Sequence, residues 1–315
     1  MKVFLTKIIL LALILIGVYA FFVHKLAQGP VDDYYFKFTQ ESQSIVLGLS
    51  RAYSGISPSE FDTEISKYGP YAPLTNFALE KFQSPFGETY LNAVKAKIQK
   101  KDKPIISLVC VSPGSLTAPV DMDNNQIQES DKKSKLGKVS DYTSYPNYSY
   151  IIENYGGALY NALLPEPKNN GQIIVHRNGW REFKLNSKAY DVNEKDIEFN
   201  KSFVIKLHKE LENTEQKSHY RVQSLINTID FLQSKGKVFI IRMPADHDII
   251  TLENQHWTGF DSFIDSISAA KRTHYLNYST SEHSFQTYDG SHLHSKSAKE
   301  FSRILANDIG NILSK

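Results

Sequence analysis

Ser44-Ile45-Val46-Leu47-Gly48-Leu49-Ser50-Arg51 is the stretch on which the reading of this chain turns. A short apolar run that stops at glycine predicts a β-strand buried on both faces, as strands of parallel sheets are. Gly48 has no Cβ and lets the backbone turn sharply, so Ser50 is left at the carboxyl end of the strand. Ligands of parallel α/β folds bind at that edge. A lone G-x-S step is weak, since most such serines only cap a helix. The G-x-S-x-G form is also incomplete, because Ala52 holds the last place.

Working outward, Ile105 to Val111 is a second continuous apolar run, stopped by Pro113, and Val238 to Ile241 is a third, stopped by Pro244. Lys100-Lys101-Asp102-Lys103 before the second run predicts a polar helix end. Val222, Leu225, Ile226, Ile229 and Leu232 recur at helical spacing, with Gly236 as a stop. Ala298, Phe301, Ile304, Leu305, Ile309 and Ile312 give the last helix one apolar face, and Ser297 with Glu300 gives it a capping box. Ser57-Pro58-Ser59-Glu60 has the same signature with proline at the first helical position. Strand and helix signals that alternate in this way predict a layered α/β fold with a mostly parallel sheet. Between about 114 and 215 the alternation lapses. Residues 121–142 are polar without an apolar period and predict a loop or mobile insertion. The plan is a linker over 26–40 and one α/β domain over 41–315 that carries the insertion.

The first 25 residues form a separate segment. Ile8 to Val23 is an uncharged apolar run of 16 residues preceded by Lys2 and Lys7 and followed by His24 and Lys25. Counted from Val3, with Lys7 snorkelling to the headgroups, the run reaches 21 residues and can span a bilayer. A cleaved signal fits Val18-Tyr19-Ala20, and a retained anchor fits Phe21, Phe22 and Val23, which prolong the run. Both readings export the rest, as a single-pass membrane protein with its body outside the cytoplasm or as a secreted or periplasmic one.

Composition narrows the function. The 315 residues are 41% apolar and 12% aromatic, enough for a substantial core. Lys plus Arg number 36 against 34 Asp plus Glu, so no basic excess exists to hold a phosphate backbone, and nucleic acid is excluded as a partner. Cys110 is the single cysteine and sits in an apolar run, which predicts an inert core thiol and no disulfide framework.

The chemistry-bearing residues lie at the two ends of the domain. Tyr288-Asp289-Gly290-Ser291-His292-Leu293-His294 stands just before the last helix. A serine hydroxyl needs a base, usually histidine, and an Asp three residues earlier across a glycine turn can reach that ring and fix its tautomer. Asp289, His292 and His294 could alternatively serve as zinc ligands, although no third or fourth ligand stands nearby. Arg51 and Arg242, both at predicted strand ends, suit either a carboxylate or phosphate clamp or buried ion pairs. Tyr145, Tyr148, Tyr150, Tyr155 and Tyr160, with Trp180 and Trp257, suit a sugar-stacking surface or a core.

The strand-Gly-x-Ser opening and the Asp-x-x-His closing resemble the first and last blocks of the SGNH (GDSL-type) hydrolases. Ile45 to Pro58, Val238 to Pro244 and Asp289 to Leu293 are similar to its membrane-anchored cell-envelope branch, over about 41–113 and 217–315. The resemblance implies a three-layer, flavodoxin-like parallel sheet flanked by helices. It makes Ser50 the nucleophile, His292 the base and Asp289 its partner, with no metal and no cofactor. Three positions depart from the pattern. Leu49 replaces the usual Asp, the second block reads Asn76-Phe77-Ala78-Leu79, and no residue matches the oxyanion asparagine of the third. The Ser50 or Gly114 backbone N–H, or the Asn76 amide, would have to substitute. The implied activity is a membrane-tethered esterase or O-acyltransferase acting on an envelope glycan or acyl ester, with a membrane-bound acyltransferase as partner. The alternative is a non-catalytic envelope protein that binds glycan or a partner in the same cleft.

Overall fold

The computed structural model describes residues 1–83, 85–98, 104–164, 171–187, 191–280 and 284–315. The predicted helix end at Lys100 to Lys103 lies outside them. The chain opens with α1 (Lys2–Ala27), then β1 (Ser44–Leu47), α2 (Ser50–Gly55), α3 (Pro58–Ile65) and β2 (Leu74–Asn76). Next come α4 (Glu88–Lys97), β3 (Ile106–Val111), β4 (Thr117–Pro119), α5 (Asn124–Lys133), α6 (Lys135–Lys138) and α7 (Tyr148–Tyr155). The middle continues through β5 (Ile173–Val175), β6 (Arg181–Phe183), α8 (Glu194–Thr214), β7 (Glu215–Lys217) and α9 (His219–Gln233). It closes with β8 (Lys237–Arg242), α10 (His247–His256), α11 (Phe260–Ala270), β9 (His274–Asn277) and α12 (Ser295–Leu313).

Five strands form one parallel sheet in the order β2-β1-β3-β8-β9. The three apolar runs of the sequence are its central strands, and their side chains alternate between two cores as the strand period of two requires. Ile45, Leu47, Val109 and Ile240 face one core, with Val94, Leu225 and Ile264 from α4, α9 and α11. Val46, Leu108, Cys110 and Ile241 face the other, with Phe61, Phe301 and Leu305 from α3 and α12. Edge strands β2 and β9 were not legible in the sequence: each is short, and β9 is only half buried.

Strand order fixes where a ligand fits. From β1 the chain passes to β2 on one side, then crosses back to β3 on the other, so the order reverses between β1 and β3. In open parallel sheets, the crevice outside the carboxyl ends at such a reversal is where ligands bind. Ser50 follows β1 and Gly114 follows β3, so both flank it.

Several local expectations are corrected. Residues 121–142 are not a loop. Asp123 and Gln126 form a capping box that starts α5, Ile127, Leu136 and Val139 are buried, and Asp131 pairs with Arg221 of α9 (Nη2 to Oδ1, 2.8 Å). One buried ion pair holds this helix where an apolar stripe would normally be required. Residues 26–40 are not a linker either. Leu26, Ala27, Tyr35 and Phe38 are buried, and the Asp32 carboxylate accepts from the hydroxyls of Tyr150 and Tyr155 at 2.7 Å. Helix α12 begins at Ser295, ahead of the predicted capping box, with His294 as its cap, the ring accepting from Lys296 N–H, and Ser297 Oγ instead accepts from the Gln286 backbone N–H. Helix α3 does begin at Pro58, without a side-chain cap from Ser57.

Candidate active site

Gly48 leaves β1 at φ +140, where a Cβ would lie 2.8 Å from Cys110 Cβ. Only glycine fits there, and the turn places Ser50 at the first position of α2. The partner arrives from the far end of the chain on a tight turn. Tyr288 N–H donates to His292 C=O at 3.0 Å, and Gly290, at φ +82, makes the bend. Asp289 Oδ1 accepts from the backbone N–H groups of Ser291 (3.0 Å) and His292 (2.8 Å). The turn is moored to α10, since the Asp246 N–H donates to Gly290 C=O at 2.8 Å.

These devices bring Ser50, His292 and Asp289 into one hydrogen-bonded chain. His292 Nε2 lies 2.8 Å from Ser50 Oγ, and His292 Nδ1 lies 2.7 Å from Asp289 Oδ2. Burial pushes the Asp289 carboxyl up, but the His292 ring and the hydrogen bonds from His292 and Ser291 outweigh it and hold the carboxyl below its usual value. An ionised Asp289 only accepts hydrogen bonds, so Nδ1 carries the ring proton and Nε2 is left to accept from the serine hydroxyl.

The remaining predicted residues divide. Gly114 lines the cavity beside Ser50. The amides of Ser50, Arg51 and Ala52, in the first turn of α2, have no acceptor within the helix. Asn76 lies on the far side of α2, fully buried. Its amide donates to the carbonyls of Ala52 (2.8 Å) and Ile56 (3.0 Å), so it ties down the end of α2 and offers nothing to an oxyanion.

Arg51 reaches across the site, donating from Nε to Ser291 Oγ (2.9 Å) and from Nη2 to Glu253 Oε1 (2.9 Å). It therefore joins α2, which carries Ser50, to the turn that carries His292. Arg242 is completely buried and does not line the cavity. It pairs with Asp261 (2.6 Å) and Glu253 (3.3 Å), so it is a structural ion pair and not a ligand clamp. Burial pushes the Glu253 carboxyl up, but Arg51 and Arg242 overcome this and hold it below its usual value. His294 is buried at the start of α12, its ring directed at Lys296 N and Ser297 Oγ and away from Asp289. Cys110 is buried, and desolvation pushes its thiol up, as an inert core residue requires. Tyr150, Trp180 and Trp257 are core side chains, so the aromatic residues do not form one sugar-stacking surface.

A cavity of about 170 Å³ opens onto Ser50 and His292. Leu49, Val111 and Met243 form its floor, and Val204, Leu207 and Leu211 of α8 form its roof. Helix α8 belongs to the insertion for which the sequence offered no role. Lys201 pins it to Asp246 (3.1 Å) and Asp248 (2.8 Å), beside the mooring of the Asp289–His292 turn. Lys81, paired with Glu215, lines the same cavity. His208 on α8 is desolvated, and its pKa falls to about 4 despite Glu253 nearby. Nothing in the sequence around Lys81 or His208 marks them, because only the tertiary fold carries them to the site.

The five-stranded parallel sheet between helices, with Ser50 after its first strand, is the α/β fold class that the sequence predicts. No protein-family model matches the chain, and no curated protein matches it in sequence. Among solved structures it is similar to a carbohydrate acetylesterase from Sinorhizobium meliloti, at 7% identity and TM-score 0.38, covering 86% of this chain and 100% of that one. It is also similar to an inhibitor-bound aryl esterase of M. smegmatis, at 9% identity and TM-score 0.36, covering 86% of this chain and 99% of that one.

Proposed function

We propose that this protein is a membrane-tethered serine esterase or O-acyltransferase that cleaves an acyl ester by way of an acyl-enzyme. The observation that supports it most is the unbroken contact from Asp289 through His292 to Ser50, at the mouth of an apolar cavity. In the reaction, His292 Nε2 takes the Ser50 proton as Oγ attacks the ester carbonyl. The tetrahedral intermediate collapses, and the leaving alcohol takes that proton from His292. Water or a sugar hydroxyl then attacks the acyl-enzyme, giving its proton to His292, which returns it to Ser50 Oγ as the acid or transferred ester leaves. The Ser50 and Gly114 N–H groups are the oxyanion donors in this reading. The apolar floor and roof receive the acyl group, so an envelope glycan or lipid would present its ester from the open side.

Turnover of small aryl esters by the full chain in detergent tests this. Ser50→Ala and His292→Ala should each abolish turnover without lowering the melting temperature. Persistence of wild-type turnover in Ser50→Ala would rule the mechanism out. The alternative, a binding protein without turnover, draws its support from Asn76, whose amide is engaged elsewhere and leaves only backbone donors for an oxyanion.

A further inference from the structure

The region between Tyr145 and Leu164 carries an exposed apolar surface that the catalytic reading does not use. Of the eleven large apolar residues exposed among the described residues beyond α1, six fall in this stretch. Tyr160, Leu163 and Leu164 are 64%, 66% and 57% exposed, and Ile152 is 49% exposed. Soluble surfaces scatter such residues singly, and a cluster of this kind marks a contact.

Its position names the contact. Helix α7 and the 3-10 turn over Leu159–Leu163 pack along the last turns of α1. His24 Nδ1 meets the Tyr148 hydroxyl at 2.8 Å, and the two rings stack. A Cβ on Gly156 would lie 3.3 Å from the Tyr19 hydroxyl. The body thus first touches α1 at about Tyr19 to His24. From Val3 to Phe22, α1 rises about 28 Å at about 1.5 Å per residue, close to the roughly 30 Å of a hydrocarbon core. The patch is therefore level with the outer boundary of any bilayer that α1 crosses, where tyrosines concentrate. Its apolar surface continues that of α1, whose apolar window is wholly exposed.

We infer that Ile152, Tyr160, Leu163 and Leu164 form a second membrane contact, dipping into the headgroup–acyl boundary beside α1. The inference rests on the reading of α1 as a retained span. The contact holds the body flat against the lipid at a fixed rotation, where a single flexible tether would let it swing. Asp32 ties α7 to the chain leaving α1, through Tyr150 and Tyr155, so the two contacts move as one piece. A second copy or a soluble partner on the same patch is the competing outcome.

The full chain in phosphatidylcholine–phosphatidylglycerol vesicles provides the test. An environment-sensitive fluorophore is placed on Leu163→Cys, with Leu164→Cys as a second variant should the first misfold. Ile9→Cys in α1 and Asn311→Cys, exposed on α12 at the opposite face of the sheet, are the references. Buried Cys110 stays unlabelled. Lipids spin-labelled high on the acyl chain should quench Leu163→Cys strongly and leave Asn311→Cys bright. Lipids labelled deep in the chain should quench Ile9→Cys. Quenching at Ile9 with none at Leu163 or Leu164 overturns the inference and leaves the anchor standing. A blue-shifted but unquenched Leu163 label means that protein covers the patch, which also overturns it. No quenching at Ile9 removes the anchor, and the inference with it.

Discussion

At the scale of single residues, Asn76 separates structure from catalysis. Its amide satisfies carbonyls at the buried end of α2, so Asn76→Ala should cost about 1–3 kcal/mol of stability through unpaired carbonyls. An oxyanion donor would behave in the opposite way, with turnover falling roughly 10²–10³-fold and the melting temperature unchanged. Melting curves and ester turnover on the same variant distinguish the two. Asp289→Asn should keep the fold and lower turnover by about 10⁴-fold, because an amide can hold His292 in the wrong tautomer. His208 gives a pH signature. Its folded pKa, about 4, lies below the roughly 6.5 of an unfolded histidine, so the unfolded chain binds more protons between those values. Stability should therefore fall as pH drops from about 6.5 to about 4, by at most about 1.4 kcal/mol per pH unit from this group. His208→Gln should flatten the melting temperature in that window, and an unchanged slope would remove His208 as the cause. That Ser50, Asp289 and His292 meet was legible because short-range devices place them: a glycine after a strand, and a three-residue spacing across a turn. The roles of Asn76 and Arg242 stayed open in the sequence because their partners, the α2 carbonyls and Glu253, are assigned by tertiary placement alone.

At the scale of elements, the three central strands could be read from their continuous apolar runs, while the insertion could not be read at all. Helix α5 shows why. Its polar sequence is held by devices that leave no apolar period: the Asp123–Gln126 capping box, and Asp131, which meets Arg221 of α9 with both side chains 6% exposed. Removing one member leaves a buried charge, so Asp131→Ala should destabilise the protein by about 3–5 kcal/mol. A double change to apolar residues of similar size should recover much of that loss, as denaturant titrations would show. Helix α8 is the other case. None of its 21 residues is buried, yet it roofs the cavity, held beside the Asp289–His292 turn by Lys201. Lys201→Ala should raise hydrogen exchange across 194–214 and leave the exchange of β1, β3 and β8 unchanged. Equal protection in both proteins would show that the roof does not depend on that latch.

At the scale of the whole molecule, the parallel sheet brings residues 242 positions apart in sequence into contact at the reversal between β1 and β3. The chain's two ends supply Ser50 and His292, and the insertion supplies the roof. Among the described residues, α1 is the one helix long and apolar enough to cross a membrane. With the body outside, protease added to sealed cells should remove residues beyond α1, and a protected body would reverse the orientation. The central claim is that Ser50 is a nucleophile activated by His292. Its most direct test is covalent labelling of the folded full chain by a serine-directed fluorophosphonate, with the modified peptide mapped by mass spectrometry. The account predicts one adduct, on Ser50, that disappears in His292→Ala while the melting temperature holds. An intact wild-type chain that takes up no label, or takes it up on another serine, would contradict it.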